Sequence, residues 1–235
     1  MTGPPVFKRI LNKIKKRVSR TVHDRDGVAY YTRSEGANAG LQTYYADNIV
    51  AIHCGVVPDR YKRIAALTPG DKIIEFGAAD GTQSLVLALE KERVFGVELM
   101  DLQIREAEKL KADWLSHGFR VENCRFVQRD ILEASDLLAD NDTVVMSRVL
   151  YHLRGGIGDV MDTIAKSAVR HFVLVGCPKR TERWLKHGET GDAMGKYAYY
   201  ATLEGMSSVL REHGFTIVHA IGGDDGEDPV VVGSR

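Results

Sequence analysis

The sequence contains no apolar run approaching the roughly 20 residues that a membrane-spanning helix requires. Cysteine is scarce. Cys54, Cys124 and Cys177 lie far apart and form no C-x-x-C pair, so neither a disulfide framework nor a cysteine-based metal site is indicated. The chain begins without the apolar segment of a secretory signal, so we expect a cytoplasmic location and reduced cysteines. We predict no metal site.

The chain also lacks net charge, with 32 basic and 32 acidic residues. Such a balance does not favour nucleic acid as a partner of the whole surface. Residues 1–20 are an exception, because they hold seven basic and no acidic residues. Apolar residues recur there at helical spacing, which predicts a basic amphipathic helix. Two functions stay open for residues 6–20: peripheral docking on anionic lipid at the inner face of the membrane, and capping of an active site.

The length of 235 residues suits one main domain. We assign residues 1–57 to an N-terminal helical extension with a lid or cap, and residues 58–235 to an α/β domain. A second early helix is predicted over Tyr44–Val56, and a third after Pro58, ended by the turn Thr68–Asp71.

From residue 72 onward, short β-rich runs alternate with amphipathic stretches, which is typical of βα units around a parallel sheet. The predicted helices cover residues 81–90, 101–117, 131–139, 157–169 and 200–213. The last two strands are joined only by a turn and should form an antiparallel hairpin. The predicted strands are Lys72–Phe76, Arg93–Glu98, Cys124–Gln128, Thr143–Ser147, His171–Gly176, Phe215–Ile221 and Pro229–Gly233.

The run I-I-E-F-G-A-A-D-G, residues 73–81, is an apolar strand followed by a glycine turn and a helix. Gly77 and Gly81 let the backbone turn sharply and approach a ligand, and the helix offers unpaired N–H groups. A dinucleotide fingerprint would be G-x-G-x-x-G, but here Ala79 stands at the second glycine. Glu75 and Asp80 would repel a pyrophosphate and tolerate a cofactor that carries an ammonium and a sulfonium.

This motif resembles that of the class I S-adenosylmethionine-dependent methyltransferase family, in which an acidic residue, any residue and glycine are followed by three residues and a second glycine. Glu75, Gly77 and Gly81 match it. The resemblance covers about residues 58–235. It implies a Rossmann-like methyltransferase fold, with a seven-stranded mostly parallel sheet and helices on both faces. It also implies S-adenosyl-L-methionine as cofactor and S-adenosyl-L-homocysteine as product.

Two further acids follow the next two strands. Glu98 ends the second strand, at the edge where such sheets bind ligands, and its carboxylate can accept both ribose hydroxyls. The family resemblance implies that Asp130, after the third strand, accepts a hydrogen bond from the adenine amino group. The other predicted cofactor contacts are Ala79, Leu99, Ile131 and Ser147.

The fourth strand runs into S-R-V-L-Y-H-L-R, the usual place for the reacting face in this family. His152 is the candidate general base, because the ordinary pKa of imidazole, about 6.5, is near neutral. Tyr151 is a second candidate. The long connection after the fifth strand is predicted to hold the acceptor. The candidate acceptor-binding residues are Tyr44, Tyr45, Arg180 and Trp184.

We therefore expect a methyltransferase that acts on oxygen of a small or glycan-like polar acceptor, including an anionic one. Two alternatives stay open: an N-methyltransferase of a lipid headgroup at the membrane surface, and a non-catalytic cofactor-binding regulatory partner. No N-P-P-Y-type tetrapeptide follows the fourth strand, so a nucleic-acid acceptor is not expected. The oligomeric state is not indicated.

Overall fold

The computed structural model describes residues 24–25, 28–29, 52–177, 195–222 and 227–235. Its centre is a seven-stranded sheet whose strands, numbered along the chain, lie in the order β3-β2-β1-β4-β5-β7-β6. Strands β1 to β5 run parallel, and β7 is antiparallel to both β5 and β6. The strands are β1 Lys72–Phe76, β2 Arg93–Glu98, β3 Cys124–Gln128, β4 Thr143–Ser147, β5 His171–Val175, β6 Thr216–Ile221 and β7 Val230–Ser234.

Both faces of the central strands are covered, as their near-continuous apolar sequences require, whereas the edge strand β6 is largely exposed. Alternate residues of each strand enter separate cores: Ile73 and Val145 pack on one face, Ile74 and Val144 on the other. Helices α1 to α3 contribute to the first core, and α4 and α5 to the second. The α-helices are α1 Asp59–Leu67, α2 Thr82–Ala88, α3 Asp101–Ser116, α4 Ile157–Ala165 and α5 Leu203–Glu212.

The predicted sheet, its hairpin and its covering layers are confirmed. β1 to β4 have the predicted bounds, β5 and β6 differ by one residue at one end, and β7 is shifted by one residue at both ends. α4 ends four residues before its predicted end because the Ser167 hydroxyl binds the Ile164 carbonyl at 2.7 Å and also accepts the Val169 amide. α5 starts at Leu203 because Thr202 caps it, accepting from the Gly205 amide.

The predicted helix over residues 131–139 is wrong. The chain forms two 3₁₀ turns there instead, Ile131–Glu133 and Ser135–Leu138. The amides of Glu133 and Ala134 donate to carbonyls three residues back, at 3.0 and 3.3 Å. The Asp130 carboxylate caps the first turn by accepting the Leu132 amide. Helices with this 3₁₀ hydrogen-bond pattern are seldom longer than one short turn, so the segment forms two separate 3₁₀ turns.

The predicted N-terminal basic helix and most of the predicted helix over Tyr44–Val56 lie outside the described residues. Within the predicted lid, Asp24–Arg25 pairs antiparallel with Val28–Ala29. Cys54 is exposed, Cys124 and Cys177 are buried, and none of the three forms a disulfide in the part of the chain that the structure describes. Across the described ranges, no helix combines the length and apolarity needed to span a membrane.

Candidate functional site

The glycine turn lies between β1 and α2, at the carboxyl edge of the parallel strands. Gly77 and Gly81 both have positive φ angles, 77° and 78°. A Cβ at Gly77 would lie 2.3 Å from Cγ2 of Val149, and one at Gly81 would lie 2.5 Å from the Phe126 ring. Both positions therefore exclude a side chain on two counts, backbone conformation and space. Ala79 between them also has a positive φ, 48°.

Glu98 ties the glycine turn to the end of β2. One carboxylate oxygen, Oε2, accepts the Ala79 amide at 3.0 Å, and the other, Oε1, accepts the Met100 amide at 3.0 Å. The amides of Gly77 and Ala78 donate to the Val97 carbonyl, so the turn is also fixed to the residue of β2 that precedes Glu98. The structure thus brings the first and second predicted cofactor motifs into direct contact.

Glu75 is almost fully buried at 2% exposure. The Ser84 hydroxyl, on the first turns of α2, donates to its Oε2 at 2.5 Å. Burial raises the pKa of Glu75 to about 8 although the Ser84 bond works in the opposite direction, and the charges of Asp80 and Glu98 raise it further. Ser84 was not predicted, because an isolated serine in an apolar helix carries no signal of its own.

Asp80 and Glu98 complete a cluster of three carboxyl groups. Burial raises the pKa of Asp80, and its hydrogen bonds from Thr82 and the charges of Arg60 and His53 only partly offset this. Burial also raises the pKa of Glu98, against the amide hydrogen bonds it accepts. Crowded carboxyl groups that lack enough positive partners form a site where a cationic ligand is stabilised.

The third predicted acid, Asp130, is half-buried and lies two residues after the end of β3. Its Oδ1 accepts the Leu132 amide at 3.0 Å. Ile131 packs beside it at the edge of the second core, whereas Leu99 is 40% exposed after β2. Because β1, β2 and β3 are adjacent and parallel, the predicted cofactor residues that follow them share one edge of the sheet.

The segment after β4 borders the glycine turn from the other side. Ser147 is the last residue of β4, paired with Val175 of β5. Val149 contacts Gly77, and a 3₁₀ turn follows over Leu150–His152. His152 therefore lies three residues after Val149, which contacts the glycine turn.

Tyr151 and His152 differ in their surroundings. Tyr151 is 1% exposed and packs in a small cluster with Cys177 and Ala201. His152 is half-buried, and its ring lies 4.4 Å from the Tyr151 ring, centroid to centroid. Partly exposed tyrosines of the 3₁₀ helix Gly195–Ala201, namely Tyr197 and Tyr200, pack against the same cluster.

The four predicted acceptor-binding residues lie outside the described residues: Tyr44, Tyr45, Arg180 and Trp184. Across the described ranges, no group of three or more His, Cys, Asp or Glu side chains is arranged to hold a metal ion. Asp142 lies at the opposite edge of the sheet, at the start of β4, where its carboxylate accepts the Asp71 and Lys72 amides and bonds Arg170.

No protein-family model matches this chain, and no curated protein matches it. Solved structures do. Magnesium protoporphyrin IX methyltransferase from Synechocystis PCC 6803 with bound SAM is 19% identical, with a TM-score of 0.56 and 100% of each chain covered. A TehB-like SAM-dependent methyltransferase from Corynebacterium glutamicum ATCC 13032 Kitasato is 16% identical, with a TM-score of 0.57, covering 86% of this chain and 100% of that one.

A third similar structure is the N-methyltransferase NodS from Bradyrhizobium japonicum WM9. It is 20% identical, with a TM-score of 0.54, and covers 75% of this chain and 92% of its own. These likenesses establish the fold. The chain has the Rossmann-like class I methyltransferase fold that its glycine motif implied.

Proposed function

We propose that this protein is an S-adenosylmethionine-dependent methyltransferase that methylates oxygen on a small polar acceptor. The observation that carries the proposal is Glu98, whose carboxylate accepts the Ala79 amide and thereby joins the end of β2 to the glycine turn after β1. In open α/β sheets a ligand binds beyond the carboxyl ends of the strands. The turn, Glu98 and Asp130 all lie at that edge.

The residues at this edge fit the cofactor. The carboxylate of Glu98 uses one lone pair of each oxygen for the Ala79 and Met100 amides. A carboxylate offers about four acceptor sites, and the Leu99 amide also interacts with this one, so at most two sites remain for the ribose hydroxyls. Asp130 uses Oδ1 for Leu132, which leaves Oδ2 for the adenine amino group, with Ile131 against the ring.

The charge of the site also fits. Glu75, Asp80 and Glu98 have raised pKa values, chiefly through burial. A nearby positive charge stabilises their ionised forms. S-adenosylmethionine carries such charges on its ammonium and sulfonium, whereas a pyrophosphate would add like charge to the cluster. The cluster therefore favours this cofactor over a dinucleotide.

When bound, S-adenosylmethionine supplies a methyl group on a sulfonium sulfur for in-line displacement, and S-adenosylhomocysteine remains. The chain contributes alignment and a proton acceptor. His152 is the residue proposed to take the proton of an acceptor hydroxyl, because it follows the loop that contacts the glycine turn and is half-buried rather than enclosed. Tyr151 is enclosed, which suits a residue that shapes the pocket.

The acceptor we propose is small, polar or glycan-like, and Arg180 and Trp184, with Tyr44 and Tyr45, are proposed to hold it. Residues 1–57 serve as its cap, and residues 6–20 provide a peripheral contact with anionic membrane. An amine acceptor on a lipid headgroup is the second candidate, favoured by the seven basic residues near the N-terminus.

Two measurements on the full chain test the proposal. Isothermal calorimetry should detect binding of S-adenosylmethionine and S-adenosylhomocysteine but not of NAD. A tritiated-methyl transfer screen over hydroxyl and amine acceptors should then give labelled product. No binding would reject the cofactor assignment, and binding without transfer to any acceptor would favour a non-catalytic regulatory partner. Transfer only to lipid amines, lost when residues 1–20 are deleted, would favour the second candidate.

A further inference from the structure

Arg148 has an unusual backbone conformation for a residue other than glycine. It directly follows β4, and its φ angle is 61°, in the left-handed region. A side chain makes this region unfavourable, so surrounding contacts must hold it there. The Arg148 amide is one such contact, because it donates to the Val175 carbonyl at 2.8 Å and so keeps the residue against β5.

The side chain provides the second contact. The Arg148 guanidinium binds the carboxylate of Asp228, with Nη2 2.7 Å from Oδ1 and 2.6 Å from Oδ2, and Nε 3.2 Å from Oδ2. Asp228 is 7% exposed and Arg148 is 23% exposed. A two-pronged pair of this kind fixes direction as well as distance, and partial burial protects it from screening by salt.

Asp228 is itself anchored. Its carbonyl accepts Nη2 of Arg63 at 2.7 Å, and the Arg63 guanidinium also pairs with the carboxylate of Glu227. Arg63 belongs to α1, which precedes the glycine turn in the sequence. The residues before β7 thus connect α1 to the segment after β4.

The next residue, Val149, lies where a Cβ of Gly77 would be, with its Cγ2 2.3 Å from that position. The direction in which Val149 points follows from the left-handed conformation of Arg148. We propose that Arg148 is a positioning residue: Asp228 holds it in the left-handed conformation, which seats Val149 on Gly77 and fixes the turn Gly77–Gly81 in its cofactor-binding form. The inference rests on the proposed function.

Three variants separate the backbone conformation from the ion pair. R148A loses the pair and keeps the unfavourable φ, R148G loses the pair but adopts the φ freely, and R148K keeps the charge with a single-pronged contact. The matched control is R170A, which removes an Arg–Asp pair at the opposite edge of the same sheet. Dissociation constants for S-adenosylmethionine by calorimetry and midpoints of thermal unfolding are measured for each.

We expect R148A to bind S-adenosylmethionine about 5- to 30-fold more weakly, the equivalent of the ~1–2 kcal/mol that the left-handed conformation costs a side chain. R148G should stay within about 3-fold of the wild type, and R148K should fall between them. R170A should bind normally. If R148A fails to fold, R148K against R148G makes the same comparison.

Equal affinities of R148A and R148G, or of R148K and R148G where R148A does not fold, would overturn the inference while leaving the proposed function standing. The same holds if R148A binds like the wild type. A wild type that does not bind S-adenosylmethionine would overturn the proposed function and this inference together. A fall in the unfolding midpoint of R148A and R148G alike, without the difference in affinity, would show that the pair serves stability alone.

Discussion

Carboxyl groups at the two edges of the same sheet are in opposite situations. At the carboxyl edge, burial raises the pKa values of Glu75, Asp80 and Glu98. At the amino edge, burial also works to raise the pKa of Asp142, but the hydrogen bonds from Asp71, Arg170 and Lys72 outweigh it and lower the net pKa. Residues of one chemical type thus stabilise the fold at one edge and form the proposed ligand site at the other.

The difference lies in the partners available at each edge. At the starts of the strands, free backbone amides and Arg170 satisfy Asp142 fully. At their ends, the carboxyl groups crowd one another around a glycine turn. Gathering buried acids costs stability, and the charges of Arg60 and His53 only partly offset the effect of burial on Asp80. The crowded edge is therefore the one where a further positive partner is expected. Four substitutions test this comparison.

The largest effect is expected at His152. H152Q should lower kcat for transfer to a hydroxyl acceptor by about 10²- to 10⁴-fold, because it removes the proposed proton acceptor. The dissociation constant for S-adenosylmethionine should not change. H219Q, at an exposed position of β6, is the control. An unchanged kcat would show that the acceptor loses its proton without help from the chain.

The next largest effect is expected at Glu98. E98Q should weaken S-adenosylmethionine binding by about 10- to 150-fold, because a hydrogen bond to a charged group contributes roughly 1.5–3 kcal/mol. E90Q removes an exposed carboxylate just beyond α2 and should bind normally. Calorimetry measures both. Equal affinities of E98Q and E90Q would remove the distinction between the two edges.

Glu75 should make stability depend on pH. Its pKa in the folded protein, about 8, lies above the ordinary value of 4.5, so the folded state binds more protons than the unfolded state between those pH values. The free energy of unfolding should therefore fall as pH rises through this window, by up to about 1.4 kcal/mol per pH unit from this group.

E75Q lacks the titrating group. The free energy of unfolding of the wild type should therefore fall relative to that of E75Q between pH 5 and pH 8. Urea unfolding at three pH values measures this. For E90Q, which removes an exposed carboxylate, the difference in free energy of unfolding from the wild type should be the same at all three pH values. A constant offset between E75Q and the wild type would mean that Glu75 is ionised in the folded protein throughout.

The smallest effect on the site is expected at Asp142. D142N should lower the free energy of unfolding at pH 7 by about 1–2 kcal/mol, because it loses a charged acceptor for two amides and an arginine. Because the pKa of Asp142 is lowered in the folded protein, this contribution to the free energy of unfolding should disappear as the pH falls through that pKa. Binding of S-adenosylmethionine should stay within about 2-fold of the wild type. Weakened binding would place Asp142 in the site after all.

The sequence predicted the central strands well because β1, β4, β5 and β7 are buried apolar runs bounded by polar residues. β1 ends at a glycine turn, and the acids after β1, β2 and β3 share an edge once the strands are parallel and adjacent. Those local signals sufficed to place the predicted cofactor residues at one edge of the sheet.

Contacts between distant residues were not predictable in this way. Arg148 and Asp228 are 80 residues apart, and Asp228 stands in a run of glycines and acids that indicates only a turn. The bond from Ser84 to Glu75 is invisible for a similar reason, since nothing marks which helix residue will face the acid. The two 3₁₀ turns after Asp130 replaced a predicted helix because hydrogen-bond register depends on the cap and on packing, beyond what residue periodicity reports.

The most direct test of the central claim is a crystal structure with S-adenosylhomocysteine. We expect the ligand at the carboxyl edge of β1, β2 and β3, with its ribose hydroxyls on the carboxylate of Glu98 and its adenine amino group on Asp130. Its sulfur should face the segment that leads to His152. A ligand bound elsewhere on the protein, or one whose ribose makes no contact with Glu98, would contradict the account.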